Sequence, residues 1–265
     1  MAHGKTALIT GGGSGIGEAA ALAFAQAGYR VALVGRRPEA LTHVAERIRH
    51  NKGEALILPA DVSRAADAEQ IVAQTIAQFG PLDAAFNNAG IEGAFAPIVD
   101  LSEDDFDATI ATNLKGVWLS CREQMRAMGG RGGAIVNTSS WLAHGAFPGS
   151  SIYSASKAAL DGMLRALAME GAPEGIRVNN VNPGIIDTPM FRRFADDAAA
   201  QPFIQHTPVR RLGTPEEVAD VVVWLASDGA RFVTGQNILL DGGYTLAGHR
   251  AWLSGGVSAS NATPE

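Results

Sequence analysis

The chain has 265 residues, of which 46% are hydrophobic, and its formal net charge is -6. This is enough apolar material for one substantial core, so we expect residues 1–265 to form a single α/β domain. The acidic balance and the scattered basic residues argue against a nucleic-acid partner or an anionic membrane surface.

The amino terminus and the cysteine content favour a cytoplasmic protein. The first strand-like run starts at Lys5, which leaves no room for a signal peptide, and no apolar run is long enough for a membrane span. Cys121 is the only cysteine, so an internal disulfide is excluded and a place in the core is expected. The histidines show no metal-ligand spacing, and we predict no metal.

Taken in chain order, strand-like runs alternate with helical patterns. Continuous apolar runs such as VALV and AIV indicate strands buried on both faces of a parallel sheet. We therefore predict a Rossmann-type, doubly wound sheet of mostly parallel strands with helices on both faces. The seven predicted strands are Thr6 to Thr10, Arg30 to Gly35, Ala55 to Pro59, Asp83 to Asn88, Ala134 to Ser139, Arg177 to Asn182 and Gln236 to Leu240.

The pattern from Ser102 to Met128 predicts one long helix. Ser102 and Asp105 have the spacing of a capping box at its start. Apolar residues recur at helical spacing and predict one buried face, formed by Phe106, Ile110, Leu114 and Val117.

A glycine-rich run, TGGGSGIG, lies directly after the first strand and opens the first helix. Gly11, Gly15 and Gly17 allow a tight turn and a close approach to the pyrophosphate of a dinucleotide. The exposed amides at the start of a helix favour that negative charge.

Tyr153 and Lys157 are four residues apart and therefore share one face of a helix. The ammonium can then lie close enough to favour the phenolate, whose pKa is ordinarily about 10. Ser140 lies thirteen residues before the tyrosine. This combination favours proton transfer to or from a substrate oxygen.

These features, with NNAG at Asn87, TNLKG at Thr112, YSASK at Tyr153 and NPGIIDTPM at Asn182, resemble the short-chain dehydrogenase/reductase family. The resemblance extends from Lys5 to about Ala247. It implies an enzyme that transfers a hydride between a nicotinamide cofactor and a ketone or secondary alcohol.

The resemblance also implies a role for each matching residue. Tyr153 would be the general acid in reduction and the base in oxidation, and Ser140 would hold the substrate oxygen. Lys157 would lower the pKa of the tyrosine and bind the nicotinamide ribose, and Asn113 would support a proton-supplying water chain. Asp61 resembles the acceptor for the adenine amino group.

The predicted cofactor site combines the glycine turn, the ends of the next strands and the NPG motif, where Ile186 and Thr188 resemble the residues that bind the carboxamide. Its residues are Gly11, Ser14, Gly15, Ile16, Gly17, Arg36, Arg37, Asp61, Val62, Asn88, Ala89, Gly90, Tyr153, Lys157, Pro183, Gly184, Ile186 and Thr188.

In this fold the substrate pocket lies outside the carboxyl ends of the strands, so residues after Ser140 and Gly184 should line it. That set is mostly apolar and aromatic, and comprises Trp141, Leu142, His144, Ile185, Met190, Phe191 and Phe194. It favours a compact hydrophobic ketone or secondary alcohol. We therefore predict a carbonyl reductase for small apolar or aromatic ketones.

Three alternatives stay open at this point. The chain could reduce 3-oxoacyl groups on an acidic acyl carrier protein, which would need basic residues near the mouth of the pocket. Arg131 is a candidate for such a residue, but Glu174 places an acidic side chain on the adjacent side. It could be a sugar or diol dehydrogenase. It could also be a non-catalytic protein that senses the cofactor, although such a role does not need the proton relay.

The end of the second strand predicts NADP(H) over NAD(H). An acid that would bind the ribose 2′-hydroxyl is replaced there by Gly35, Arg36 and Arg37. The two guanidiniums can contact a 2′-phosphate. Ser14 argues against this, because many NADP-using relatives carry a basic residue at its position.

Members of the family are commonly tetramers, and we predict a homotetramer. The expected apolar seam contains Val221, Val222, Trp224, Leu225, Ile238, Leu239 and Leu240. Residues 254–265 are rich in Ser, Gly, Ala and Asn and are predicted to form a flexible or interface-docking tail.

Overall fold

The computed structural model describes residues 4–246. Within that range seven strands form one sheet in the order β3-β2-β1-β4-β5-β6-β7. All six neighbouring pairs are parallel. The strands are β1 (Thr6–Thr10), β2 (Arg30–Gly35), β3 (Ala55–Pro59), β4 (Ala84–Asn87), β5 (Gly133–Thr138), β6 (Ile176–Pro183) and β7 (Asn237–Leu240). The predicted tail lies outside the described residues.

The α-helices connect these strands and cover both faces of the sheet. They are α1 (Gly15–Gln26), α2 (Pro38–His50), α3 (Ala65–Phe79), α4 (Glu103–Ile110), α5 (Gly116–Met128), α6 (Ser151–Gly171), α7 (Pro189–Arg192), α8 (Asp197–His206) and α9 (Pro215–Ala226). None of those between residues 4 and 246 is long and apolar enough to cross a membrane.

Two hydrophobic clusters lie on opposite faces of the sheet. Ile9 packs with residues of α1, α2 and α9, whereas the adjacent Leu8 packs with residues of α3, α5 and α6. Successive side chains of a strand point to opposite faces, so a strand covered on both sides buries both sets of side chains. This confirms the doubly wound architecture. Cys121 is fully buried in the second cluster, as expected.

The first three strands have the predicted bounds, and the boundaries of the other four differ from the prediction by one residue at one or both ends. Asp83 lies outside β4, and its carboxylate accepts a hydrogen bond of 2.7 Å from the amide of Thr6 at the start of β1. The side chain thus satisfies the first amide of the neighbouring strand. A polar interaction of this kind leaves no mark in a hydrophobic pattern.

The predicted long helix is divided into α4, a π-helical turn at Ala111–Lys115, and α5. The capping box of Ser102 and Asp105 is present. The predicted apolar face is wrong for Phe106, which is 48% exposed, whereas Val117 is buried. The wider turn rotates the residues before it relative to those after it. Phe106 in α4 and Val117 in α5 therefore do not share one helix face.

The predicted oligomer seam is also partly wrong. Val222 and Leu225 are fully buried in the chain's own core, because α9 packs closely against α1. Trp224 and Leu239 are 44% and 43% exposed, and these two remain available for a contact between subunits.

A row of amide side chains crosses the interior of the sheet. Asn87, Asn137, Asn180 and Asn237 are paired in register on four neighbouring strands. Each donates to the next, at 2.9, 3.1 and 3.0 Å. Gln124 of α5 exchanges two further hydrogen bonds with the first member. Buried amides need such partners, and we call these four residues the asparagine row.

Asn137→Ala is expected to destabilise the fold by roughly 2–4 kcal/mol. It removes one of the acceptors of the Asn87 amide group and leaves Asn180 Oδ1 without its donor, at about 1–3 kcal/mol each. Urea denaturation should show a lower midpoint. Asn51→Ala, at the exposed end of α2, is the control and should change stability by less than about 0.5 kcal/mol. Equal midpoints for the two variants would contradict the importance of the row.

Candidate active site

The carboxyl ends of the central strands open onto one cavity of about 370 Å³, a size typical of small-molecule sites. It is lined by most of the predicted residues: Gly11, Ser14, Gly15, Ile16, Arg36, Arg37, Asp61, Val62, Asn88, Ala89, Gly90, Ser140, Trp141, Leu142, Tyr153, Lys157, Pro183, Gly184, Ile185, Ile186, Thr188, Met190, Phe191 and Phe194. Three predicted residues do not line it: Gly17, Asn113 and His144.

The glycine turn at one end of the cavity requires its glycines. Gly11 and Gly15 have φ values of +67° and +57°, a region that disfavours other residues. A Cβ on Gly17 would overlap the carbonyl oxygen of Gly11. Gly17 therefore packs α1 against the turn without reaching the cavity. The half-buried backbone of Gly13 and Ser14 lines the cavity just before α1, where the amides at a helix start favour an anionic group such as a pyrophosphate.

Hydroxyl groups fix the segment after β4 along the floor of the cavity. Thr10 Oγ1 accepts hydrogen bonds from the amides of Asn88 and Ala89, at 3.0 and 3.1 Å. Thr138 Oγ1 donates to Asn88 Oδ1 at 3.2 Å. The ends of β1, β4 and β5 are thereby held together under the predicted cofactor site.

At the other side of the glycine turn the cavity is charged. Arg36 and Arg37 are exposed on its rim, and Asp61 lies between them and α3. Burial raises the pKa of Asp61, but hydrogen bonds from the amide and hydroxyl of Ser63 and the charges of Arg36 and Arg64 outweigh it, so the pKa is lowered. Asp61 is therefore an anionic acceptor close to Arg36 and Arg64.

Tyr153 and Lys157 face the cavity from α6. Burial raises the pKa of Tyr153 to about 12, against a hydrogen bond with Ser140 that lowers it, and the charge of Glu92 raises it further. This is opposite to the sequence prediction, because burial outweighs the effect expected of the ammonium. The hydroxyl of Tyr153 is thus protonated at neutral pH, the form that a proton donor requires.

Lys157 is 4% exposed, and its Nζ donates a hydrogen bond of 2.7 Å to the carbonyl oxygen of Thr138. The same atom lies 5.7 Å from the ring centre of Tyr153. Burial lowers the pKa of Lys157 to about 8, while the charge of Asp161 acts in the opposite direction. The ammonium is therefore held at the junction of β5 and α6.

Ser140 follows β5 and faces Tyr153. Its hydroxyl caps the 3-10 turn of Trp141–Ala143 by accepting from the amide of Leu142 at 3.1 Å. The adjacent Ser139 donates to the carbonyl oxygen of Lys157 at 3.1 Å. Of the two serines, Ser140 is the one whose side chain lowers the pKa of Tyr153.

Asn113 lies behind the cavity, in the π-helical turn. It is fully buried, and its amide group exchanges two hydrogen bonds of 2.8 Å with the backbone of Ile91. It also donates to Ser156 Oγ at 3.3 Å. Asn113 therefore joins the segment after β4 to α6.

Aromatic rings dominate the end of the cavity near Tyr153. Phe95 and Phe194 are almost parallel, with ring centres 6.5 Å apart, and Phe95 lies 6.0 Å from Tyr153. Phe191 meets Phe194 edge to face at 5.1 Å. Phe147 lies 6.3 Å from Phe95. The rings of Phe95 and Phe194 are 43% and 60% exposed, so both present apolar surface to a ligand.

Sequence reasoning missed Phe95 and Glu92, which also line the cavity. Both lie shortly after NNAG, so their position beyond the end of β4 was the available signal. Glu92 forms a two-pronged ion pair with Arg193, at 2.8 and 2.9 Å. This pair connects the segment after β4 to the chain that follows α7.

His144 was predicted in the substrate pocket but points elsewhere. Its Nε2 lies 2.8 Å from Oδ2 of Asp161, a buried residue of α6. The 3-10 turn after Ser140 reverses the chain and carries His144 back over α6. Distance along the sequence did not show this reversal.

Known proteins are similar to this chain over most of its length. A family model described as enoyl-(acyl carrier protein) reductase matches residues 11–245. Glucose 1-dehydrogenase from Gluconobacter oxydans is 40% identical over 252 residues, which cover 92% of this chain and 93% of that protein. Cyclohexanol dehydrogenase from an Acinetobacter species is 39% identical over 244 residues, which cover 92% and 96% of the two chains.

Solved structures extend the similarity to the fold. Levodione reductase has a TM-score of 0.89 at 36% identity, covering 92% of this chain and 98% of that one. A short-chain type dehydrogenase/reductase from Mycobacterium marinum has a TM-score of 0.87 at 38% identity, covering 92% and 96%. The chain therefore belongs to the short-chain dehydrogenase/reductase family and is an NAD(P)-dependent oxidoreductase that acts on alcohol groups.

Proposed function

We propose that this enzyme is a carbonyl reductase, or in reverse a secondary-alcohol dehydrogenase, for neutral apolar or aromatic substrates. The observation that carries the proposal is the position of Tyr153, which lines the cavity with Ser140 and Lys157 at its ring-lined end. When bound, the reduced cofactor would supply the hydride that the carbonyl carbon gains. The carbonyl oxygen receives the proton of Tyr153.

The other residues of the site prepare this proton transfer. Ser140 holds the substrate oxygen and hydrogen-bonds the tyrosine, so donor and acceptor are aligned. Lys157, fixed by Thr138, places a positive charge where negative charge develops on the tyrosine oxygen. Asn113 fixes the wall beside α6, and we infer that it also supports the water chain that returns a proton to the site.

The lining of the cavity supports a neutral, apolar substrate. Phe95, Phe191 and Phe194 offer ring faces and edges. The ion pair of Glu92 with Arg193 adds no net positive charge that would attract an anionic group. This argues against an acyl group on an acidic carrier protein. The similarity to glucose and cyclohexanol dehydrogenases keeps a sugar or cyclic diol as the second candidate. The similar proteins are named as dehydrogenases, and this argues against a protein that only senses the cofactor.

We also propose a cytoplasmic homotetramer. The exposed Phe106 and Trp118 of the α4 and α5 region, and the exposed Trp224 and Leu239, provide apolar surface for contacts between subunits. The predicted docking of the tail concerns residues outside those described.

Tyr153→Phe should reduce turnover at least about 100-fold, because it removes the proton donor and keeps the ring. The loss of reduced-cofactor absorbance with a panel of aryl, alkyl and cyclic ketones and acyl thioesters measures turnover. Cofactor affinity, measured by fluorescence, should hardly change. Tyr29→Phe is the control, since Tyr29 is a buried tyrosine of the core. Near-wild-type turnover of Tyr153→Phe would contradict the mechanism.

Phe194→Ala should lower kcat/KM for an aryl ketone about tenfold more than for a small cyclic alkyl ketone, because aryl contacts with the ring are lost. The ring is 60% exposed, so its removal leaves the core intact. Phe232→Ala, at a fully exposed phenylalanine, is the control. Equal losses for the two ketones would show that Phe194 does not select aromatic substrates.

The cofactor is predicted to be NADP(H), because Arg36 and Arg37 lie on the cavity rim where a ribose 2′-phosphate would bind. Arg36→Ala should lower kcat/KM for NADPH about tenfold or more and spare NADH, since a hydrogen bond to a charged group contributes about 1.5–3 kcal/mol. Arg64→Ala is the control, because Arg64 also lies near Asp61 but does not line the cavity. A clear NADH advantage in the wild type would reject the assignment.

A further inference from the structure

Asp161 is a buried carboxylate that the proposed reaction does not use. It lies on α6 one turn after Lys157, and the residue is 6% exposed. Its oxygens accept hydrogen bonds from Asn180 at 3.1 Å and Asn182 at 3.2 Å, and His144 Nε2 lies 2.8 Å from Oδ2. A carboxylate buried here must be compensated by several donors, since burial of an unpaired charge is costly.

Two of these donors lead to the segment of Ser140. Asn182 also donates to the carbonyl oxygen of Ser140 at 3.2 Å. His144 ends the 3-10 turn that begins after Ser140, and its amide bonds the carbonyl oxygen of Trp141. Asp161 therefore holds the Ser140 segment at both ends, through Asn182 at the start and His144 at the finish.

The same carboxylate acts on Lys157 by its charge. It raises the pKa of Lys157 against the larger, lowering effect of burial. Tyr153 is the other titratable group on this face of α6, His144 approaches from the segment after β5, and Glu92 acts on Tyr153 from the segment after β4. The groups contributed by β5 and β6 are uncharged: Thr138, Asn180 and Asn182.

We propose that Asp161 and His144 form a positioning pair, which fixes the Ser140 segment against α6 and places a negative charge one helical turn from Lys157. Neither residue lines the cavity, so the pair acts through Ser140 and Lys157. This inference rests on the proposed function for its kinetic consequences, whereas its structural consequence can be measured without turnover.

Asp161→Asn tests the charge. The substitution keeps the shape and an acceptor oxygen but removes the anion, so the ammonium of Lys157 should lose its proton at a lower pH. The alkaline limb of the kcat profile for ketone reduction should therefore move down by about one pH unit. Asp83→Asn is the matched control, because it removes a carboxylate that accepts from Thr6 at the amino ends of the central strands, away from the cavity. An unmoved limb in Asp161→Asn would overturn the role of the charge.

His144→Ala tests the positioning. It should lower kcat roughly tenfold for aryl and alkyl ketones alike, with KM unchanged, because the Ser140 segment is displaced. His144→Gln keeps a donor and should recover most of the loss. A change in KM that depends on the substrate would instead place His144 in the substrate pocket and overturn the proposal.

Amide hydrogen exchange separates this proposal from the proposed function. In His144→Ala, the amides of Leu142, Ala143 and Gly145 should exchange faster, while those of β4 remain protected. This result is expected even if the wild type reduces none of the ketones offered, an outcome that would reject only the proposed function. Unchanged exchange in the Ser140 segment of His144→Ala would overturn the positioning role. This test does not depend on whether the Asp161→Asn variant folds.

Discussion

Hydrogen bonds between buried polar side chains govern the centre of this molecule. The asparagine row crosses four strands. The amide group of Asn180 donates hydrogen bonds to Asn237 and to the carboxylate of Asp161. Asp161 belongs to the helix that carries Tyr153 and Lys157, so the interior of the sheet and the candidate active site share one hydrogen-bonded network. A shift of α6 along the sheet would break several of these bonds at once, and this fixes the position of the helix.

Burial also determines the protonation of the site. It raises the pKa of Tyr153 and lowers that of Lys157, so in both cases the uncharged form is favoured. Asp161 and the carbonyl oxygen of Thr138 act against this for the lysine. The tyrosine is left as a proton donor beside a partly compensated cation, an arrangement that suits carbonyl reduction.

The sequence by itself determined the parallel sheet, the glycine turn and the grouping of the proposed catalytic residues. Apolar runs report burial on both faces, and a parallel sheet brings the residues after its strands to one edge. The spacing of Tyr153 and Lys157 sets a shared helix face whatever the surroundings. These features depend on local periodicity and on the topology that alternating strands and helices impose.

Only the tertiary structure decided the features that depend on contacts between distant segments. The π-helical turn separates Phe106 from the buried face, α1 covers Val222, and His144 leaves the pocket for Asp161. The raised pKa of Tyr153 likewise reflects burial by other segments of the chain. Hydrophobic periodicity describes one element at a time, whereas burial and hydrogen bonding are set by every element that packs against it, so the sequence pattern could not show them.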